Sequence, residues 1–220
     1  MKSNKLKVRA SQMGRLMTLP RSKKARENNE LSETAKSYVK EVAYSDFFGI
    51  KKEFSSKELE KGIICEQDSI DLLNLVEFAE YNKSEEFGDN GWLTGHPDII
   101  TDNSVIDIKT AWSFDTFPIL QNDMDAVVKK SKYEWQVRAY MMLFEKENAK
   151  VVYCLVDTPD DLLSDWDNEA IHKVSHIEPN KRISCSQIFK RDKGIEMQMK
   201  SVYDSANEYY KEIINELKNK

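Results

Sequence analysis

The chain has 220 residues, of which 40% are hydrophobic and 32% charged, and its formal net charge is −5. A chain of this length and composition buries one core, so we expect a single domain over residues 1–220. No apolar run approaches the roughly 20 residues that cross a bilayer, and the N-terminus lacks an apolar signal segment, which predicts a soluble cytoplasmic protein without a membrane partner.

The few cysteines and histidines argue against several kinds of cofactor site. Cys65, Cys154 and Cys185 lie far apart and form no CxxC pair, so zinc, iron–sulfur and redox motifs are disfavoured and reduced thiols are expected. His172 and His176 are spaced for one helix face, but no acid or cysteine motif accompanies them, so solvated side chains are favoured over a metal site.

The charge is distributed unevenly along the chain. Residues 1–26 contain nine basic residues and no acid, although the whole chain is acidic. A basic segment of this density neutralises phosphates and attracts nucleic acid, and a solubilising tail is the alternative. Residues 6–18 interleave apolar and basic positions, which predicts that this part packs on the domain. Residues 20–30 are polar and predict a loop.

Two helices are predicted between residues 32 and 78. Ser32 is placed to cap the first, whose apolar stripe ends near Gly49. The second opens with a capping box at Ser55 and continues to residue 78. It carries Gly62 and Glu66 four residues apart and therefore on one face. A glycine inside a helix costs about 1 kcal/mol relative to alanine, which indicates close approach of another backbone or a ligand.

A β-hairpin is predicted over residues 95–109, where two apolar runs flank Thr101-Asp102-Asn103-Ser104. With Asp102-Asn103 as the turn, Asp98 lies directly across from Asp107, and Cβ atoms in such pairs are about 4.5 to 5.5 Å apart. Lys109 leaves the same face of the strand as Asp107. Opposed carboxylates suit a hard cation such as Mg²⁺ or Mn²⁺, and a lysine beside it can orient or help deprotonate water. This arrangement predicts phosphodiester cleavage.

Three further elements follow the hairpin. Residues 133–144 predict a helix with Gln136 and Tyr140 on one side, and a buried amide there needs hydrogen-bond partners. Residues 150–156 predict a strand buried on both faces. Residues 195–220 predict an amphipathic helix that packs on the core or contacts another subunit. Between hairpin and helix, aromatic residues that include Trp112 either stack on bases or pack the loop onto the core.

The hairpin residues Pro97-Asp98 and Asp107-Ile108-Lys109 resemble the signature of the PD-(D/E)xK nuclease superfamily, with Asp at 107 in place of the commoner Glu. Gly62 with Glu66 is similar to the first motif of RecB-like and lambda-type exonucleases, and Gln136-Val137-Arg138-Ala139-Tyr140 matches their Q-x-x-x-Y element. The resemblance covers most of residues 6–160. It implies an α/β fold whose central mixed β-sheet carries a catalytic β-hairpin and is flanked by helices.

The resemblance also implies roles for these residues. One or two Mg²⁺ or Mn²⁺ ions would be bound by the carboxylates and one backbone carbonyl of Glu66, Asp98, Asp107 and Ile108. Lys109 would orient the attacking water, and Gln136 and Tyr140 would support these groups. Residues 6–18 resemble the opening of lambda- and YqaJ-type phage exonucleases, where a Ser and an Arg hold the terminal phosphate of the DNA, which points to Ser11 with Arg9 or Arg15.

The resulting expectation is a metal-dependent exonuclease that acts on duplex DNA in phage-type recombination or repair, in a bacterial host or encoded by a phage. The resemblance adds a ring-type trimer and a single-strand annealing recombinase as expected partners. Two alternatives remain open from the residues: an endonuclease on the same core, and a DNA-binding module without catalysis.

Overall fold

A computed structural model describes residues 5–50 and 55–220, so Lys2 of the basic segment lies outside it. The helices are α1 (Met13–Leu16), α2 (Lys23–Glu27), α3 (Glu33–Phe48), α4 (Lys57–Ile64), α5 (Glu66–Glu77), α6 (Gln121–Ser131), α7 (Tyr133–Phe144) and α8 (Lys193–Lys218). The strands are β1 (Val8–Arg9), β2 (Gly88–Asp89), β3 (Leu93–Gly95), β4 (Ile99–Ile100), β5 (Ser104–Thr110), β6 (Asn148–Cys154), β7 (Ile183–Cys185) and β8 (Phe189–Lys190).

A mixed sheet lies at the centre of the fold. Its strand order is β4-β5-β6-β7, and β8 also pairs with β6. The pairs β4/β5 and β6/β7 are antiparallel, whereas β5 and β6 run parallel over seven residue pairs from Ser104↔Asn148 to Thr110↔Cys154. A smaller sheet with the order β1-β3-β2 lies beside it. This confirms the predicted α/β class with a central mixed sheet flanked by helices.

Successive side chains of β5 belong to two hydrophobic clusters, one on each face of this sheet. Ile106 and Ile108 pack with residues of α5 such as Leu73. Val105 belongs to the larger cluster that includes Val137 of α7. Because side chains alternate along a strand, the odd-numbered residues of β5 point toward α7. The strand therefore delivers Asp107 and Lys109 to the α7 face of the sheet.

Local signals fix several helix ends as predicted. The Ser32 side chain accepts a hydrogen bond of 3.0 Å from the Ala35 N–H, and α3 ends at Gly49 with φ 70°, a left-handed conformation that favours glycine. Helix α7 occupies the predicted residues. Within residues 5–50 and 55–220, no helix is both long and apolar enough to cross a membrane.

Other local predictions were wrong. The helix expected from Ser55 to residue 78 is broken at Cys65, which adopts φ −96° and ψ 16° between α4 and α5. Its N-cap is Ser56, whose side chain accepts from the Leu59 N–H at 3.2 Å. The expected capping box from Ser55 to Glu58 does not form, because the N3 residue is Leu59, which has no side-chain acceptor. Residues 20–30 also hold the short helix α2, which Ser22 caps.

Candidate active site

The hairpin register is as predicted. Ile99 pairs with Ile106 and Ile100 with Val105. One further step along this antiparallel pairing places Asp98 opposite Asp107. The two strands are also joined through a side chain, because the Ile108 N–H donates to Asp98 Oδ2 at 2.6 Å. Both aspartates therefore meet on the face of the sheet that α7 covers.

Asp107 is the most enclosed acid of this site, with only 1% of its surface exposed. Gln136 Nε2 donates to Asp107 Oδ1 at 2.7 Å and to the Tyr140 hydroxyl at 3.1 Å. Lys109 Nζ lies 2.7 Å from Asp107 Oδ2, but among the described residues no group makes a well-aligned hydrogen bond to that oxygen. Asp107 Oδ1 is therefore held by the Gln136 amide, whereas in the described part of the chain Asp107 Oδ2 has only the Lys109 ammonium beside it.

Burial and mutual repulsion alter how these groups ionise. Burial, together with the charge of Asp107, raises the pKa of Asp98 to about 7. Burial also raises the pKa of Asp107, opposed by the charge of Lys109. Burial alone would lower the pKa of Lys109, but the two aspartates outweigh it and raise the pKa overall. Lys109 Nζ also lies 4.9 Å from the centre of the Tyr133 ring, so the ammonium is held between acids and an aromatic face.

A cavity of about 560 Å³ opens beside the hairpin, and Glu66, Asp98, Lys109 and Trp112 are among the residues that line it. Glu66 is the first residue of α5, so the break at Cys65 places its side chain in this cavity. Gly62 also lines the cavity, and a Cβ there would meet no atom within 4 Å. No other backbone of the described residues approaches Gly62 closely, so that part of the prediction was wrong. The missing side chain instead leaves open space next to the acids.

The donor set fits a hard divalent cation. Carboxylate oxygens are the ligands that Mg²⁺ and Mn²⁺ prefer, and Asp107 Oδ2 is a buried oxygen without an aligned hydrogen-bond donor in the described chain. In residues 5–50 and 55–220, no three acids, histidines or cysteines are gathered into a ready ligand cluster. Glu66 shares the cavity with Asp98, but its carboxylate is held by Lys83 Nζ at 2.8 Å.

The residues expected to hold a terminal phosphate lie near the N-terminus. Arg9 ends β1, and Ser11 lies in the following 3₁₀ helix; both are exposed. Arg15 is already paired, with Nη2 2.9 Å from Glu41 Oε2. Segment 10–12 packs close to the site, because a Cβ on Gly95 would lie 2.7 Å from Tyr140 Cε1 and 3.0 Å from the Cβ of Ala10. The absence of a side chain on Gly95 thus lets Tyr140 approach the N-terminal segment.

Two further side chains depart from the expectations. His172 is 2% exposed, and its Nδ1 lies 3.0 Å from Thr158 Oγ1, so the predicted solvated histidine is wrong. Burial was not apparent because the polar segment 160–192 has no periodicity. The His172 ring packs edge-on against Trp112, with 5.0 Å between the ring centroids, and this contact holds the indole at the cavity. Lys61 is fully buried and donates to the Trp112 carbonyl at 3.0 Å.

Lys83 was also missed by sequence reasoning. It lies in a polar connection, where a lone lysine carries no pattern. Cys65, Cys154 and Cys185 are free thiols.

A hairpin with opposed aspartates, a lysine two residues on and a glutamine from α7 defines a nuclease of the PD-(D/E)xK superfamily. The structure is similar to that of a phage-related exonuclease from Haemophilus somnus 129PT, with a TM-score of 0.90, 30% sequence identity and coverage of 97% of both chains. The chain belongs to this family of lambda- and YqaJ-type phage exonucleases.

More distant structures show the fold alone. An alkaline exonuclease (LHK-Exo) from Laribacter hongkongensis has a TM-score of 0.63 and 14% identity over 97% of this chain and 92% of that chain. The same enzyme in complex with dAMP has a TM-score of 0.63 and 15% identity over 98% of this chain and 92% of that chain. No protein-family model and no curated protein sequence matches the chain.

Proposed function

We propose that this single-domain nuclease is a divalent-metal-dependent exonuclease that hydrolyses phosphodiester bonds of duplex DNA. The observation that carries the proposal is the pair of opposed aspartates, with Lys109 Nζ 2.7 Å from Asp107 Oδ2. Asp98, Asp107 and Glu66, with the Ile108 carbonyl, would hold one or two Mg²⁺ or Mn²⁺ ions. Such an ion supplies Lewis-acid polarisation of the scissile phosphate and charge stabilisation at the leaving oxygen.

The side chains of the site divide the remaining tasks. Gln136 fixes the Asp107 carboxylate by its 2.7 Å hydrogen bond, so that its second oxygen keeps one orientation. Lys109 carries a permanent positive charge beside Asp107 and orients the attacking water. Tyr140 accepts from Gln136 at 3.1 Å and holds the amide in place. A carboxylate held in this way loses little freedom when it binds a cation, which favours a preorganised site.

The basic N-terminal segment supports DNA as the substrate. Arg9 and Ser11 are exposed on either side of Ala10, which lies close to Gly95 as Tyr140 does, and Trp112 lines the cavity. We assign Arg9, Ser11 and Arg15 to the terminal phosphate and Trp112 to base stacking. Part of the basic charge is used internally, because Lys7 pairs with Asp89 and Arg15 with Glu41. Phosphate binding by Arg15 therefore requires an exchange of partner.

The setting we propose is phage-type recombination or repair in the bacterial cytoplasm, with a homo-oligomer, by family analogy a ring-type trimer, and a single-strand annealing recombinase as partners. Light scattering of the chain alone and with linear duplex DNA tests the oligomer. A single particle of one chain's mass in both conditions would contradict this part of the proposal.

Digestion of linear and covalently closed circular duplex DNA with Mg²⁺ or Mn²⁺ tests the function. We expect loss of the linear DNA only. Cutting of circles would indicate the endonuclease alternative, and DNA binding without cleavage of either form would indicate a binding module.

Asp107→Asn and Lys109→Ala should each abolish cleavage while DNA binding persists, and full cleavage by either variant would refute the assignment. Preference for 5′-phosphorylated ends, and its loss in Ser11→Ala, tests the phosphate site.

A further inference from the structure

Two lysines form ion pairs with acids of the site, and only Lys109 belongs to the hairpin motif. Lys109 Nζ lies 2.7 Å from Asp107 Oδ2, and Lys83 Nζ lies 2.8 Å from Glu66 Oε2. Each of these acids thus has an ammonium partner. The hydrogen bond and charge of Glu66 act most strongly on Lys83, and the charges of Glu85 and Asp98 act on it as well. Lys83 therefore lies within electrostatic reach of two of the proposed metal ligands.

The backbone holds Lys83 at this position from both sides. On one side, the Tyr81 N–H donates to Asn74 Oδ1 at 2.7 Å, and Asn74 Nδ2 donates to the Tyr81 carbonyl at 2.9 Å. On the other side, the Ser84 N–H donates to the Asp98 carbonyl at 2.8 Å. Asn74 belongs to α5, the helix that begins at Glu66. The loop is therefore tied to both segments that carry the acids, which holds the backbone of Lys83 beside them.

The side chain itself keeps freedom to move. It is 40% exposed, whereas the side chain of Glu66 is 20% exposed. A divalent ion that binds the Glu66 carboxylate removes the hydrogen-bond partner of this ammonium, whose backbone stays beside the acids. A nearby phosphate oxygen of bound DNA then offers a new acceptor, since charge-assisted hydrogen bonds to phosphate are about twice as strong as neutral ones.

We propose that Lys83 has two successive partners: it neutralises Glu66 in the metal-free protein, and it binds a backbone phosphate of the DNA once a divalent ion has taken that carboxylate. This inference rests on the proposed function of the site. It makes Lys83 a further substrate-binding residue and a competitor of the metal. The two roles predict effects of opposite sign when the charge is removed.

Lys83→Met separates these roles, with calorimetric titration of Mn²⁺ in the absence of DNA as the first measurement. An exposed ion pair contributes about 0.2–1 kcal/mol, so loss of the competitor should tighten Mn²⁺ binding by up to about fivefold. The second measurement is binding of a 5′-phosphorylated duplex in Ca²⁺, in place of Mg²⁺ or Mn²⁺. There the variant should bind about threefold to tenfold more weakly, and its dependence of log affinity on log salt should fall by about 1.

Lys150→Met is the matched control. Lys150 Nζ pairs with Glu77 Oε1 at 2.5 Å, and Glu77 is the last residue of the same helix, α5. This variant removes one lysine charge from an equivalent pair away from the cavity, so neither affinity should change. Lys83→Arg keeps the charge and should retain the affinity for DNA.

A double-mutant cycle tests whether the competition passes through Glu66. Adding Lys83→Met to Glu66→Gln should change Mn²⁺ affinity much less than Lys83→Met does in the wild type, because Glu66, the carboxylate that Lys83 pairs with, is no longer charged. Unchanged Mn²⁺ affinity in Lys83→Met, or unchanged DNA affinity with tighter Mn²⁺ binding, would overturn the proposal. Both measurements are of binding, so such a result leaves the nuclease assignment intact, which fails only if the wild-type protein does not cleave DNA.

Discussion

In the metal-free protein, the two facing aspartates should lower the free energy of unfolding, and this effect can be measured. Burial and the charge of Asp107 raise the pKa of Asp98 from 3.8 to about 7. Since one pKa unit corresponds to about 1.36 kcal/mol, ionised Asp98 destabilises the folded state by up to about 4 kcal/mol. Asp98→Asn removes the charge, and its amide oxygen still accepts the hydrogen bond that the Ile108 N–H donates at 2.6 Å. We therefore expect this variant to be more stable than wild type at pH 8 in EDTA.

The raised pKa of Asp98 predicts how the stability difference between wild type and Asp98→Asn changes with pH. The pKa of Asp98 is higher in the folded state than in the unfolded state, so from about pH 4 to pH 7 the folded protein binds more protons. Wild-type stability should fall as pH rises through this window, and the advantage of Asp98→Asn should open from near zero to about 2–4 kcal/mol. Above pH 7 the advantage should stay constant.

Urea unfolding at pH 5, 6, 7 and 8 in EDTA measures this difference. Asp165→Asn, at an exposed loop position, is a control that removes an acid without relieving a buried one. Mg²⁺ should stabilise wild type by mass action and stabilise Asp98→Asn much less. Equal stability gaps at pH 5 and pH 8, or a variant that is less stable than wild type at pH 8, would refute the reasoning.

Three further substitutions test other parts of the structure. Gln136→Leu removes the donor that fixes Asp107, so kcat should fall about 10- to 100-fold with a smaller change in KM; an unchanged kcat would contradict the role. Burial lowers the pKa of Lys61 to about 8, so wild type should gain up to about 3 kcal/mol between pH 8 and pH 10.5 as the buried ammonium loses its proton, and denaturation of Lys61→Met should lack this gain. Ser32→Ala removes the cap on Ala35 and should cost about 1 kcal/mol by urea unfolding, whereas no loss would show that the cap contributes nothing.

The parts of the site that sequence predicts are those set by local periodicity. The register of Asp98 against Asp107 follows from a two-residue turn and the alternation of side chains along a strand. Gln136 and Tyr140 follow in the same way, because positions four apart lie on one helix face. In each case a short, regular piece of chain joins the two residues. Their spacing in the sequence is therefore sufficient to predict that they lie side by side.

The parts that sequence misses depend on contacts between distant segments. Lys61 donates to the carbonyls of Trp112 at 3.0 Å and Val156 at 2.8 Å, which fixes α4 across the ends of β5 and β6. The continuous apolar pattern through residue 65 gives no sign that the helix axis must break there. Yet this break makes Glu66 the first residue of α5 and places it in the cavity.

The charge balance of the site explains why such different residues belong together. Three carboxylates would oppose two ammonium groups if all were ionised. Burial, followed by the charge of Asp107, raises the pKa of Asp98 to about 7, so Asp98 is the carboxylate that most readily takes a proton. A proton on Asp98 makes the metal-free site neutral. A divalent ion would reverse this balance, because it would stabilise the ionised form of Asp98 and, on the proposed exchange, free Lys83 from Glu66. The site would then carry net positive charge, which would attract the phosphate of a DNA strand.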